Sequence, residues 1–355
     1  SLAFMTVGVP RMDTTRQFPD VRMVEMPLIR PISNFKRWTE RHQNRLIQTL
    51  TRRQSKVWVE MMQAGKGQLL AGAVAKFREE RAAAASVKPV LMDDAFRDTV
   101  RSPVDDGMGE WISAADAPRD SAVLYVPGGA FIMKRSDRMT ALAARLARMS
   151  GTRLRVADYR LAPEHPCPAA VEDVEASLLA LYAEGLAPDR VVVACDSAGG
   201  AIAMAALLRL KAKGVEMPAG LAMFSPWIDL ALTGFSLLSS GLSGISPFTM
   251  EMTALCARLY LQDKVLAVDP VASPVFGDLA GLPPMLVHVS AEDSFYDDSK
   301  LLARRVQEAG GQMLMRVWPM GGHVWEHEFS TDADKSIQET ARFVRGRLEG
   351  AVMFS

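Results

Sequence analysis

The sequence predicts an α/β protein: a mostly parallel sheet with helices on both faces, preceded by a helical segment. Two observations carry this. From about residue 96 short apolar runs alternate with helical patterns, as in β–α units stacked into a parallel sheet. Before that point apolar residues recur at helical spacing, from Phe35 and Trp38 through Leu46, Trp58 and Leu69 to Phe77. With 355 residues, 49% of them apolar, the chain can bury a substantial core. We expect a helical region over residues 1–95 and a sheet domain over residues 96–355, with no internal repeat.

Taken in order, SAVLYVPGG is a strand entering a glycine turn, and SDRMTALAARLARMSG a helix closed by Gly151. TRLRVADY is the next strand, followed by PAAVEDVEASLLALYAEG, a helix with a favourable start at Pro168. RVVVAC then leads directly into AGGAIAMAALLRLKAKG, a helix closed by Gly214. AGLAMFSP, PMLVHVSA and QMLMRVWP supply three more strands, and DDSKLLARRVQEAGG and DKSIQETARFVRGRLEG two more helices. In such sheets reactive groups collect at the carboxyl ends of the strands.

Composition narrows the function. Lys plus Arg equals Asp plus Glu at 41 each, which gives no support for a nucleic-acid partner. Seven basic residues and one acidic lie between Lys36 and Lys56, a pattern read as the solvated face of a helix rather than a membrane surface. No apolar run reaches the roughly 18 residues of a membrane span, so no stable membrane insertion is expected. Cys167, Cys195 and Cys256 are widely spaced and fit a reducing compartment. The start SLAFMTVGVPRMD lacks the pattern of a secretory signal, and a soluble, cytoplasmic protein is expected. Oligomeric state is left open, a homodimer included.

Ser197 ends the most strand-like run, VVVACDSAGG, among small residues. A sharp strand-to-helix turn would force it into a strained conformation and lift its hydroxyl above the sheet. The stretch C-D-S-A-G meets the G-x-S-x-G pattern except that Cys195 holds the first glycine position. Taken alone, this stretch suits a structural turn equally well.

A serine nucleophile needs a base and an orienting acid. Of the five histidines, His288 lies within a strand and His42 in the amphipathic first third. His323 follows the last strand in the glycine-rich loop MGGHVW and is preferred over its neighbour His327. For the acid, Asp293 follows the strand ending near Ser290, with Glu292 in reserve, whereas Asp297 and Asp298 open a helix and suit its dipole. The order Ser197, Asp293, His323 is that of the α/β-hydrolase fold. Backbone N–H groups at Gly129 and Ala130 in YVPGGAF, and at Ala198, are candidate donors to a tetrahedral intermediate.

These stretches resemble the hormone-sensitive-lipase-type esterases, the bacterial family IV group of α/β hydrolases. PGGAF stands for the family's H-G-G-G-[aromatic], CDSAGG for G-D-S-A-G-G, and DYRLAPEHPCPAA, EDSFYDD and GGHVW follow in family order from about Arg97 to the end. The resemblance implies Ser197, Asp293 and His323 as the triad and Gly129, Ala130 and Ala198 as the oxyanion hole. It implies that Gly128, Tyr159, Arg160 and Glu164 support the oxyanion loop, which also draws His165 into that motif. It further implies a cap made by the N-terminal helices and an insertion at about residues 227–262. The expected activity is hydrolysis of a small-molecule carboxylic ester of short to medium acyl chain, with no metal or organic cofactor.

The chain departs from the family at three points. Pro127 replaces a histidine and removes its side-chain hydrogen bonds, while adding rigidity. Ala130 replaces a glycine, and its methyl is expected to demand an ordinary backbone conformation. A G-G-A loop is associated in the family with bulky alcohol groups. Cys195 is expected to crowd the elbow slightly and to make the enzyme sensitive to thiol reagents. Trp38, Trp58, Met61 and Met62 suit either an apolar acyl pocket or the core of the cap.

Three other readings compete. HVWEH matches the H-x-x-E-H pattern of zinc peptidases, but only 28 residues remain to supply a further ligand. A ligand receptor on the same fold has no need to keep serine, aspartate and histidine together. An amidase or deacetylase with the same triad is not separable from an esterase by sequence.

Overall fold

The computed structural model describes residues 21–26, 34–84, 88–246, 248–262, 264–319 and 321–351. The leading stretch SLAFMTVGVPRMD, and the side chain of Trp38, lie outside the described residues. The strands are β1 (Val21–Glu25), β2 (Thr99–Pro103), β3 (Gly109–Ala114), β4 (Ala122–Val126), β5 (Arg153–Ala157), β6 (Val191–Asp196), β7 (Gly220–Phe224), β8 (Met285–Ser290) and β9 (Met313–Trp318). The helices are α1 (Asn34–Gln63), α2 (Gly67–Ala84), α3 (Pro89–Ala95), α4 (Asp137–Ser150), α5 (Ala169–Ala183), α6 (Ala198–Ala212), α7 (Phe235–Ser243), α8 (Met250–Leu261), α9 (Tyr296–Glu308) and α10 (Thr331–Leu348).

The strands form one nine-stranded sheet in the order β1-β9-β8-β7-β6-β4-β5-β3-β2. All neighbours from β1 to β5 run parallel, and β3 and β2 add antiparallel at the far edge. Burial on both faces explains the continuous apolar runs of the central strands. Ala122, Leu124 and Val126 of β4 join the core formed with α5, α6 and α9, while Val123 and Tyr125 face the core formed with α4 and α10. In β6, Val191, Val193 and Cys195 take the first side, and Val192 and Ala194 the second. The period of two thus feeds two cores from one run.

Two parts of the expected layout change. The first 95 residues are not helical throughout, because β1 pairs in parallel with β9, Val21 opposite Met313 through Glu25 opposite Val317. Its burial pattern is mostly exposed, as an edge strand allows. The antiparallel pair β2–β3 also precedes the first predicted strand.

α1 crosses to the segment between β7 and β8. Asn44 donates to the carbonyls of Gly244 and Ile245 at 3.2 and 2.7 Å, and Gln48 to those of Gly241 and Ser246 at 2.9 and 2.8 Å. Trp58 packs edge-on against Phe77 of α2, with ring centroids 5.3 Å apart, inside the larger core. Trp58 is buried there, and Met61 and Met62 pack against the same cluster, so all three serve the core. Asp298 of α9 anchors the segment after β7, its Oδ2 accepting the N–H groups of Ile228 and Asp229 at 2.9 and 3.0 Å.

Candidate active site

Ser197 sits between β6 and α6 with φ 51° and ψ −126°. Its N–H donates to Phe224 O at the end of β7, 3.0 Å away, and its carbonyl accepts from Trp227 and Gly200, each at 2.9 Å. The left-handed conformation is costly for a serine and persists because the neighbouring strand fixes it. Small residues follow of necessity. A Cβ on Gly199 would lie 2.2 Å from Val126 O, and one on Gly200 2.8 Å from Pro226 Cβ.

His323 follows β9, and its Nε2 lies 2.8 Å from Ser197 Oγ. Its Nδ1 lies 3.1 and 3.2 Å from the two carboxylate oxygens of Asp293, in the loop after β8. The acceptor at Nδ1 requires a proton there, which leaves Nε2 free to accept from the serine. Asp293 is 2% exposed and also accepts the N–H of Phe295 at 2.8 Å. Phe248 and Phe295 meet the imidazole edge-on, at 4.9 and 5.1 Å between centroids. Val324, at φ 47°, sets the turn after His323, a rare conformation for a β-branched residue. The carboxylate at His323 Nδ1 is that of Asp293, the preferred acid, while Glu292, the reserve, donates its N–H to Ser290 Oγ at 3.0 Å.

The loop after β4 approaches Ser197 from the other side. A Cβ on Gly128 would lie 2.7 Å from Asp196 Oδ2 and 2.8 Å from Ser197 Cβ, so only glycine fits. Gly128 N–H donates to Asp196 Oδ1 at 3.1 Å. Gly129, at φ 117°, turns the chain, and its carbonyl accepts from Ile132 and Met133 at 3.1 and 2.8 Å. Among the described residues no protein acceptor takes the N–H groups of Gly129, Ala130 or Ala198. Ala198 N–H opens α6, where the helix dipole favours negative charge.

Ala130 corrects an expectation. It adopts φ 51° rather than an ordinary backbone conformation, and Phe131 follows at φ 66°. The turn bonded to Gly129 O imposes this. Phe131 is held in place by stacking on Tyr260 at 4.2 Å and by an edge contact with Trp227 at 5.0 Å.

The loop has its own supports. The Tyr159 hydroxyl reaches the carbonyls of Pro127 and Gly128 at 2.7 and 2.8 Å, and Ala162 N–H donates to Phe131 O at 3.0 Å. Burial pushes the Tyr159 phenol up, so it stays a donor. Glu164 acts at one remove, forming a two-point ion pair with Arg78 of α2. Arg78 in turn donates to Ile132 O at 2.5 Å and Ala162 O at 2.6 Å. Sequence reasoning missed Arg78, which carries no local signal in a helix rich in charged residues. Arg160 is a correction: its side chain binds Asp173 and Glu172 of α5 and the carbonyl of Ala169, and among the described residues none of its hydrogen bonds goes to the loop. His165 donates its N–H to Leu161 O at 2.9 Å within the same segment.

Cys195 is likewise corrected. It faces the core from β6, fully buried, and burial with the adjacent Asp196 carboxylate pushes its thiol well up, against thiolate reactivity. His288 is a buried strand residue whose Nδ1 accepts from Trp318 Nε1 at 3.1 Å. The two histidines of HVWEH face different residues: His323 Nε2 lies 2.8 Å from Ser197 Oγ, and His327 Nε2 lies 3.5 Å from Asp196 Oδ2. Among the described residues no group of three or more His, Cys, Asp or Glu is placed to hold a metal ion, and no helix is long and apolar enough to cross a membrane.

A cavity of about 800 Å³ opens onto Ser197 and His323, lined by Ile47 and Phe77 from the N-terminal helices, Ile132 and Met133 from the loop, and Trp227, Phe248 and Met252 from the segment after β7. Its size lies within the range of small-molecule sites, about 300–1,000 Å³.

Comparison with known proteins agrees with the fold. The family described as having the α/β hydrolase fold matches residues 123–327. An acetyl-hydrolase of Streptomyces hygroscopicus is 34% identical over 66% of this chain and 79% of its own. An esterase of Acinetobacter venetianus is 35% identical over 59% of this chain and 69% of its own. The crystal structure of an esterase from the bacterial hormone-sensitive lipase family superposes with a TM-score of 0.67 at 34% identity, covering 78% of this chain and 96% of that one. The chain belongs to the α/β-hydrolase family, among its hormone-sensitive-lipase-type esterases.

Proposed function

We propose that the protein hydrolyses carboxylic esters through an acyl-enzyme on Ser197. Ser197 Oγ attacks the ester carbonyl while His323 Nε2 takes its proton, and Asp293 holds the imidazole by Nδ1 and stabilises the imidazolium. The oxyanion is received by the N–H groups of Gly129, Ala130 and Ala198. His323 then returns the proton to the leaving alkoxide, and water attacks the acyl-enzyme by the same route. The observation that carries this reading is the continuous chain from Ser197 Oγ through His323 at 2.8 Å to Asp293 at 3.1 Å.

Helices α1 and α2 with the segment holding α7 and α8 act as the cap, a reading supported by Ile47, Phe77, Phe248 and Met252 lining the cavity over Ser197. Their apolar side chains suit short to medium acyl groups, and the cavity leaves space for a bulky alcohol group. The test is hydrolysis of p-nitrophenyl esters from acetate to palmitate. Turnover should peak at short to medium chains and fall at palmitate. A maximum at palmitate would overturn the chain-length reading, and an absence of turnover across the series the esterase reading.

A further inference from the structure

We propose that His327 is a positioning residue for the oxyanion loop, acting through the carboxylate of Asp196. The inference rests on the reading of that loop as the oxyanion hole. Asp196 is the last residue of β6 and is fully buried. Its Oδ1 accepts two hydrogen bonds, from the Tyr125 hydroxyl at 2.6 Å and from Gly128 N–H at 3.1 Å. Its Oδ2 faces His327 Nε2 at 3.5 Å. Among the described residues neither of these two buried atoms has a hydrogen-bond partner. A buried carboxylate oxygen without a donor is costly, so the proton of His327 belongs on Nε2, facing it.

The carboxylate is rigidly tied to the loop. A Cβ on Gly128 would lie 2.7 Å from Asp196 Oδ2, so the loop backbone rests directly on that oxygen. Rotation of the carboxylate swings Oδ1 away from Gly128 N–H, and the N–H groups of Gly129 and Ala130 follow one and two residues on. Tyr125 constrains Oδ1 from β4, and His327 is placed to constrain Oδ2 from the 3₁₀ turn Trp325–His327. Each histidine of HVWEH thus has its own aspartate: Asp293 orients the base, and His327 steadies the residue that aims the donors. His327 also lines the cavity beside Ser197, so its ring is at the site and not remote from it.

The test compares wild type with His327→Phe, which keeps a ring but no N–H, and with His327→Gln, which keeps an N–H near the Nε2 position. Each is assayed for kcat and KM on p-nitrophenyl butyrate. Each is also assayed for inhibition by phenylboronic acid, whose tetrahedral adduct on Ser197 places an oxygen in the hole, and by butyramide, which is planar. His327→Phe should lower kcat and weaken boronate inhibition by about tenfold each, as donors drift from the oxyanion. KM and butyramide inhibition should stay within about twofold, the signature of an interaction made only in the transition state. His327→Gln should restore both values to within about threefold of wild type. If His327→Phe does not fold, His327→Asn, whose amide falls short of Asp196, carries the same expectation. Wild-type kcat and boronate inhibition in His327→Phe, or equal losses for boronate and butyramide, would overturn the proposal. A wild-type protein that neither turns over ester nor binds boronate would instead overturn the oxyanion reading beneath it.

Discussion

Arg78 and Glu164 are joined by two parallel hydrogen bonds of 2.8 Å each, across 86 residues of chain. The pair fixes a guanidinium whose Nε reaches Ile132 O, so a helix from the N-terminal third holds the loop beside Ser197. The planar fork of arginine permits this, since a lysine ammonium cannot reach a carboxylate and two carbonyls in one plane. Arg78→Lys should therefore lower kcat/KM for p-nitrophenyl butyrate by about tenfold, close to the effect of Arg78→Ala. Steady-state kinetics on both variants checks this; full activity in Arg78→Lys would mean that charge alone suffices.

Gly128 has a sharper requirement. An added methyl would meet Asp196 Oδ2, Ser197 Cβ and Asp196 O at 2.7 to 2.9 Å, and two of these belong to the rigid end of β6 and the elbow. Gly128→Ala should shift the loop and lower kcat by about 100-fold or more. Gly322, where a Cβ meets nothing within 4 Å, is the control, and alanine there should cost far less. Comparable losses at both positions would contradict the close-approach argument.

Stability should carry a pH signature from Glu326. It is fully buried behind the site, and burial together with the Asp293 and Asp196 carboxylates pushes its carboxyl up to about 8, against a hydrogen bond from Ser336. A raised folded-state pKa favours the protonated form. Its contribution is present in full below the unfolded value near 4.5 and is lost as pH rises through about 8. Within that window the loss approaches about 1.4 kcal/mol per pH unit. His288, held neutral by burial and lowered to about 3, acts oppositely: its contribution is present above 6.5 and is lost as pH falls below it. Glu326→Gln keeps a neutral side chain, so the difference between its urea-unfolding free energy and that of wild type should grow in favour of the variant from pH 5 to pH 8. A difference that stays flat across this range would show that Glu326 is not held protonated.

Sequence legibility followed the strength of local constraint. The β6–Ser197–α6 elbow was readable because a strand buried on both faces must be apolar throughout, and a turn against β4 admits only small residues. Asp293 and His323 were readable because a parallel sheet collects loops at one end. β1 was not: a five-residue edge strand with one buried side chain needs no distinctive pattern. Arg160 was misplaced because its choice of Asp173 and Glu172 depends on the packing of α5, which no motif encodes. The positive φ of Ala130 was hidden for a related reason, since the hydrogen bonds to Gly129 O dictate it and not the residue type.

The most direct test of the account is capture of the acyl-enzyme. Wild type and Ser197→Ala are each mixed with p-nitrophenyl butyrate, quenched in acid within milliseconds to seconds, and digested for mass spectrometry. A butyryl adduct is expected on the peptide bearing Ser197 in wild type, and neither adduct nor turnover in Ser197→Ala. Turnover that survives the substitution, or an adduct on another residue, would contradict it.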